Sequence, residues 1–173
     1  MPNNIILTTE RLLLRQMTEA DAPLVYALNT SPGVLQYVHE PSLKDEADAL
    51  RVIKEIIMPQ YSLYNLGRWA IERREDGQFM GWCGLKYLAD IDEVDLGYRL
   101  MPQYWGKGYA SEAAGSTLTF GFTQRNLPTI IGRAHIDNIA SWSILEKIGM
   151  QFRELGEEDG QTIKIYQADR PIS

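Results

Sequence analysis

The sequence predicts a mixed α/β domain: a mainly antiparallel central sheet with flanking helices. Three observations carry that expectation. First, Arg68 to Arg73 and Phe79 to Tyr87 alternate with the period of a strand around the turn signal Glu75-Asp76-Gly77, and Glu93 to Leu100 continues them as a meander. Second, apolar residues recur at helical spacing both before and after this meander. Third, the order along the chain is strand, two helices, meander, then helix, strand, helix, strand, strand. With 173 residues and no repeat, low-complexity tract or linker, residues 1–173 read as a single domain.

Taken in order, Ile5 to Arg15 reads as the first strand, centred on Arg11-Leu-Leu-Leu-Arg15. Thr18-Glu-Ala-Asp21 has capping-box spacing, and Leu24, Val25 and Leu28 give the short helix behind it an apolar face. Ser31-Pro-Gly33 breaks this pattern. The segment through Pro41 reads as loop or irregular helix, where Tyr37 and His39 are candidates either to line a pocket or to pack locally. Ser42-Leu-Lys-Asp45 repeats the cap spacing before Ala47, Leu50, Ile53 and Ile57, an amphipathic helix reaching Pro59. Tyr61, Tyr64 and Gly67 mark a loop. Beyond the meander, a helix runs from Gly108 past Ala113, Leu118 and Phe122 toward Arg125. Thr129 to Ala134 is a short strand, and Asn138 to Ile148 a helix closed by Gly149. Phe152 and Thr162 to Ala168 belong to two last strands around Asp159-Gly160.

Composition narrows the function classes. A formal charge of −6 argues against nucleic-acid binding and tilts toward cationic partners. The single cysteine, Cys83, cannot form an intrachain disulfide, and its apolar surroundings suit a buried structural thiol rather than a nucleophile. Two well-separated histidines and one cysteine are poor material for zinc, so no metal is expected. Neither a membrane-length apolar stretch nor an N-terminal signal core is present, and a cytoplasmic protein with no membrane partner is expected.

The most informative stretch is Leu100-Met-Pro-Gln-Tyr-Trp-Gly-Lys-Gly-Tyr-Ala110. A strand leads in and a helix leads out, and Gly106 and Gly108 lie between them. A glycine-bearing turn that opens a helix gathers free N–H groups at the positive end of the helix dipole, which suits a phosphate. Small residues at 106, 108 and 110 allow close approach to the backbone. The same features also serve an ordinary strand-to-helix turn.

Tyr-Trp-Gly-Lys-Gly-Tyr-Ala resembles the acyl-CoA pyrophosphate loop of the GNAT superfamily of N-acetyltransferases. More narrowly, it resembles the branch of the bacterial ribosomal-protein N-terminal (RimJ/RimL-like) acetyltransferases, whose opening Arg11-Leu-Leu-Leu-Arg-x-x-Thr-x-x-Asp21 is also similar to. In the superfamily pattern Gln/Arg-x-x-Gly-x-Gly/Ala, the last two positions fall on Gly108 and Ala110. The first falls on Trp105, a departure that removes only a polar side chain. A second stretch, Asn138-Ile-Ala-Ser141 leading to Glu146-Lys-x-Gly149-Met150, is by itself a capped amphipathic helix, Asn138 being a fit N-cap. It also resembles the family's Asn-x-x-Ser-x-x-x-x-Glu-Lys-x-Gly-Phe motif, with Met150 in place of phenylalanine. The resemblance runs from Arg11 to about Phe152.

The resemblance implies the GNAT acyl-CoA N-acyltransferase fold, in which the family's fourth and fifth strands part and the cofactor arm fills the gap. Acetyl-CoA is the implied cofactor, with Leu100, Met101, Trp105, Gly106, Lys107, Gly108, Tyr109, Ala110, Asn138 and Ser141 as its binding residues. It further implies a primary amine acceptor, either a small molecule or a protein N-terminus, attacking the thioester directly without a cysteine intermediate. The main-chain N–H near Leu100 is then the oxyanion donor and Ser141 the donor to the leaving thiolate. The superfamily's frequent tyrosine acid is Leu145 here. For the base, Asp95 stands where relatives commonly carry glutamate and would act through a water, with Glu93 and then His135 behind it; Asp95 could equally be a solvated carboxylate or an amine-binding anion. Tyr98 reads as packing and Arg99 as a surface or phosphate-facing cation. The chain would act as monomer or homodimer. An alternative on the same fold is a non-catalytic acyl-CoA sensor or partner-binding module, which would keep Gly106, Gly108 and Asn138 but need neither Asp95 nor Ser141.

Overall fold

The computed structural model describes residues 4–38, 40 and 42–172; His39, a pocket candidate from the sequence, lies outside them. Among the described residues one sheet holds eight strands: β1 (Ile5–Thr8), β2 (Leu12–Gln16), β3 (Gly67–Arg73), β4 (Phe79–Leu88), β5 (Glu93–Leu100), β6 (Thr129–His135), β7 (Gln151–Glu158) and β8 (Gln161–Asp169). Their spatial order is β1-β2-β3-β4-β5-β6-β8-β7, and every pairing is antiparallel except β5–β6. The helices are α1 (Ala22–Thr30), α2 (Glu46–Val52), α3 (Met58–Tyr64), α4 (Tyr109–Gln124) and α5 (Ile139–Lys147). Strand alternation sends Leu14, Ile71, Leu85 and Leu96 into a core with Leu118 and Phe122 of α4. On the opposite face, Ala70 and Trp82 pack with Val25 and Leu28 of α1 and Ile53 beyond α2. No helix among the described residues is long and apolar enough to cross a membrane.

The meander, the helix from Gly108 and the last hairpin follow the sequence expectation closely, but three elements differ. Ile5 to Arg15 is not one strand. It is the hairpin β1–β2, whose turn is fastened from α4: Glu112 accepts from Thr9 Oγ1 at 2.5 Å, from the Arg11 N–H at 2.9 Å and from Arg11 Nε at 2.7 Å. Thr9-Glu-Arg11 carries neither glycine nor proline, and its local turn device is only Thr9, whose Oγ1 accepts the Leu12 N–H at 3.1 Å. The next helix is capped by Asp45 rather than Ser42. Asp45 accepts from the Asp48 N–H at 2.9 Å, and Asp48 accepts from the Lys44 N–H at 2.8 Å. Nor does helix end at Pro59. A π-helical segment, Ile53–Ile57, re-phases the backbone so that Pro59 falls in the first turn of α3, where a missing N–H is tolerated. Tyr61 is therefore a helix residue. Its hydroxyl donates to the Arg68 carbonyl and accepts the Met17 N–H at 3.0 Å, tying α3 to the sheet; burial pushes this phenol's pKa up.

The predicted capping residue Asp21 has a second role. Besides accepting the Thr18 N–H at 2.8 Å, it receives Arg15 through two 2.9 Å hydrogen bonds, while Arg15 Nε donates to Glu72 at 2.6 Å. Both Arg15 and Asp21 side chains are only 6% exposed. Removing Asp21 strips the buried guanidinium of two hydrogen bonds and leaves it only the partly exposed Glu72, so Asp21→Ala is expected to lower the unfolding free energy by about 3 kcal/mol. Urea denaturation checks this; a change within about 0.5 kcal/mol, typical of a surface substitution, would show the pair to be idle.

Candidate active site

Where β5 and β6 run side by side, they form ladder pairs only at Asp95–Ile131 and Leu96–Gly132. Past those residues both strands continue, to Leu100 and His135, without pairing. A cavity of about 750 Å³ reaches into this gap. Its wall includes the end of β5, the turn before α4 and the first turn of α5. Met101 donates its N–H to the Met80 carbonyl at 2.8 Å. Because an antiparallel ladder alternates, the N–H and C=O of Leu100 then face away from β4, toward the gap. The Leu100 carbonyl accepts the Trp105 indole N–H there, at 2.9 Å.

The turn itself follows from its two glycines. After a short 3-10 turn at Pro102–Tyr104, Gly106 (φ +73°) and Gly108 (φ +82°) adopt the left-handed conformation, and Gly108 is the N-cap of α4. A β-carbon at Gly106 would meet nothing within 4 Å, and one at Gly108 only Arg11 Nη2 at 3.4 Å. The concave side of the turn is thus open, with the N–H groups of a 16-residue helix behind it. Arg11, read from the sequence only as a strand residue, stands beside it. Its Nη1 donates to the Lys107 carbonyl at 3.1 Å and its guanidinium lies 4.2 Å from the centre of the Tyr109 ring. Trp105 supplies a hydrogen bond that pins the turn to β5, and its ring lies 3.3 Å from where a β-carbon of Gly33 would be. Trp105, Gly106, Gly108, Tyr109 and Ala110 all border the cavity, as does Leu100; Met101 and Lys107 do not.

Across the gap, Asn138 caps α5 by accepting the Ser141 N–H at 3.2 Å, and both residues border the cavity. Leu145, the position of the family's tyrosine, is buried against Gly132. A phenol nevertheless reaches this helix from β5. Tyr98, expected only to pack, donates its hydroxyl to the Ser141 carbonyl at 2.7 Å and lies 3.2 Å from Ser141 Oγ. The one phenolic proton is directed to the carbonyl, which leaves the Ser141 hydroxyl free to act as a donor. Burial pushes the Tyr98 pKa up, so the phenol stays neutral. Strand alternation could have put Tyr98 on the α4 side, but nothing in the sequence showed that α5 would meet it.

The candidate bases separate clearly in space. Asp95 borders the cavity and accepts from Arg133 Nε at 3.1 Å. Its pKa is pushed up by burial, against the opposing pull of Arg133 and then Arg68. Glu93 is bound by Arg153 at 2.7 Å and is not on the cavity wall. His135 is on the wall, stacked on Tyr37 at 5.4 Å, yet both ring nitrogens are engaged: Nδ1 accepts the Asp137 N–H and Nε2 lies 3.0 Å from Gln161 Oε1. Arg99 is neither a surface cation nor directed at the phosphate turn. It is 8% exposed and holds Glu40 at 3.1 Å and Asn29 at 2.9 Å on the α1 face.

Cys83 lies in the core behind this wall, fully buried and 3.4 Å from Thr117 Oγ1, and burial pushes its thiol pKa up to about 12. A thiol so protected is expected not to react with a disulfide reagent such as Ellman's in the native protein, and to react stoichiometrically after denaturation. Rapid labelling of the native chain would contradict the buried placement.

The sequence pattern of the acetyltransferase (GNAT) domain family matches residues 11–151. The chain is 31% identical over 147 residues to the uncharacterized N-acetyltransferase YoaA of Bacillus subtilis, covering 84% of this chain and 82% of that protein. Its fold superposes on the crystal structure of an acetyltransferase from Agrobacterium tumefaciens with a TM-score of 0.80 at 28% identity, covering 97% and 94% of the two chains. A structure of RimL, the ribosomal L7/L12 alpha-N-protein acetyltransferase in complex with coenzyme A, gives a TM-score of 0.83 over 96% and 98%, at 16% identity a likeness of fold alone. With the family pattern spanning most of the chain, this protein belongs to the GNAT family of acetyl-CoA-dependent acetyltransferases.

Proposed function

We propose that this chain moves an acetyl group from acetyl-CoA to a primary amine by direct attack, with both substrates held in the β5–β6 cavity. The observation that carries the reading is the meeting of three features on one cavity: the unpaired end of β5, the two left-handed glycines at the N-terminus of α4, and the capped start of α5. In this reading residues 1–173 form a single acetyltransferase domain.

The residues fit the ligand chemically. Backbone N–H groups from Gly106 to Ala110 would hold the pyrophosphate, with Arg11 as a neighbouring cation and Trp105 keeping the turn in place. Asn138 would bind the pantetheine arm along the open edge of β5. Acetyl-CoA supplies an activated thioester. The Leu100 N–H, facing the gap, would stabilise negative charge developing on its oxygen. Ser141, whose single hydroxyl proton can turn from the Tyr98 oxygen to the departing thiolate because the Tyr98 proton goes to the Ser141 carbonyl, would donate to that thiolate, whose thiol pKa of roughly 8.5 asks little of it. Asp95 would take the proton from the amine through a water. Its raised pKa makes it a better base than an ordinary aspartate. The sensor alternative leaves the placement of Asp95 and the Tyr98–Ser141 pair on the cavity wall without a use.

Calorimetric titration tests the cofactor half of the proposal. Acetyl-CoA should bind one-to-one in the micromolar range, with dephospho-CoA and ATP as comparisons. No heat at millimolar acetyl-CoA would withdraw it. Binding without release of free thiol across an amine panel would favour the sensor.

A further inference from the structure

On the α1 face of the sheet the cavity meets three arginines, Arg68, Arg99 and Arg133, and three carboxylates, Glu40, Asp95 and Glu158. The carboxylates are all taken. Glu40 is held by Arg99 at 3.1 Å, and Asp95 and Glu158 share Arg133 at 3.1 and 3.3 Å. Arg68 and Lys86 make no ion pair among the described residues. Arg68 instead lies over Trp82, 4.5 Å from the ring centroid, with Arg99 at 5.3 Å from the same ring. Its partner in β4 is Gly84, whose own partner in β5 is Gly97, and the Trp82 ring occupies the space Gly97 leaves, 3.3 Å from where a β-carbon would be, as the platform for the Arg68 guanidinium. Lys86, two residues from Gly84 on β4, shares that face and pairs in register with Asp95. Burial and then the charge of Arg99 push the Arg68 pKa down; burial and then Arg68 do the same to Lys86. Arg68 is thus a desolvated guanidinium on the cavity wall with no carboxylate in contact, beside carboxylates already engaged by other arginines, and an incoming anion would stabilise it.

We propose that the acceptor amine carries a carboxylate, which the guanidinium of Arg68 receives. This rests on the N-acetyltransferase reading and narrows it. A planar guanidinium stacked on an indole is pre-organised for a two-point carboxylate contact. Polyamines and aminoglycosides would bring further positive charge to the same wall. Amino acids and peptides with a nearby acidic group have the required pairing of free amine and anion.

The test compares acceptors that differ only in that charge: amino acids against their carboxamides, and the dipeptide Ala-Asp against Ala-Asn, with spermidine as the cationic control. With release of CoA thiol as readout, the carboxylate member is expected to show a kcat/KM higher by about ten- to a hundredfold, mainly through KM. In Arg68→Met that ratio should fall to near one, and Arg68→Lys should restore part of it. If no acceptor turns over, N-acetyl amino acids and their amides are titrated into the CoA-loaded protein, where the carboxylate must bind more tightly. Equal use or equal binding of acid and amide, a ratio unchanged in Arg68→Met, or preference for spermidine would overturn the proposal. Acetyl-CoA calorimetry on the same samples separates the two levels. Loss of cofactor binding in the parent protein defeats the enzymatic reading and this inference with it, whereas normal cofactor binding without carboxylate preference defeats this inference alone.

Discussion

Gly108→Glu is expected to weaken acetyl-CoA binding by a factor of about a thousand or more while leaving the circular dichroism spectrum intact. Two effects add. Gly108 sits at φ +82°, where a side chain costs about 1–2 kcal/mol. The larger effect is electrostatic: a carboxylate enters a turn whose free N–H groups and helix dipole would otherwise face the phosphates. The space around Gly108 indicates that the fold tolerates the change, because a β-carbon there meets only Arg11 Nη2 at 3.4 Å, the end of a flexible side chain. The new carboxylate could pair with Arg11, which would further occupy the cradle. Gly108→Ala separates the causes, since it keeps the backbone strain without the charge and should lose about tenfold. Calorimetry reads both variants. Unchanged affinity in Gly108→Glu would mean the phosphates lie elsewhere, and the turn would lose its assigned role.

How much of this was legible in the sequence depends on whether the cause was local. Turn chemistry and strand alternation are local, so β3, β4 and β5 around Glu75-Asp76-Gly77 could be read to within a residue or two. The α4 start at Gly108 and the α5 cap at Asn138 were readable for the same reason: each rests on residues adjacent in the chain. The β1–β2 turn was not, because beyond Thr9 its fastening comes from Glu112, about a hundred residues away. Pro59 misled through a real preference that a π-helical segment circumvents. Among the residues that border the cavity, the glycines, Asn138 and Ser141 were singled out by pattern. The roles of Arg11, Tyr98 and Arg99 were not, since each is defined by a partner on a different element. The ranking of bases improved for the same reason: Glu93 shares a strand face with Asp95, and only Arg153, from β7, takes it out of contention.

Asp95→Asn is expected to lower kcat by about a hundredfold or more near neutral pH, with the acetyl-CoA Kd little changed. The pH profile carries the diagnostic content. Burial raises the Asp95 pKa, so in the parent enzyme the acidic limb of kcat/KM should rise through a value above the usual carboxylate range. In the Asn variant that limb should vanish, leaving the rise set by the amine's own ionisation, about 8 for an α-amino group. Stability provides the control, and its sign is fixed by the same shift. A carboxyl whose pKa is raised on folding favours the folded state while protonated. That contribution is complete below the unfolded-state pKa of about 4 and is lost as pH rises through the folded value. Ionised Asp95 therefore opposes folding at neutral pH, and asparagine, close in shape to the neutral acid, removes that opposition. Arg133 loses one partner but keeps Glu158 at 3.3 Å. The variant should accordingly melt no lower than its parent at pH 7, so a lost rate could not be ascribed to unfolding. A pH–rate profile identical to the parent's would remove Asp95 from the reaction and leave His135 or bulk water to accept the proton.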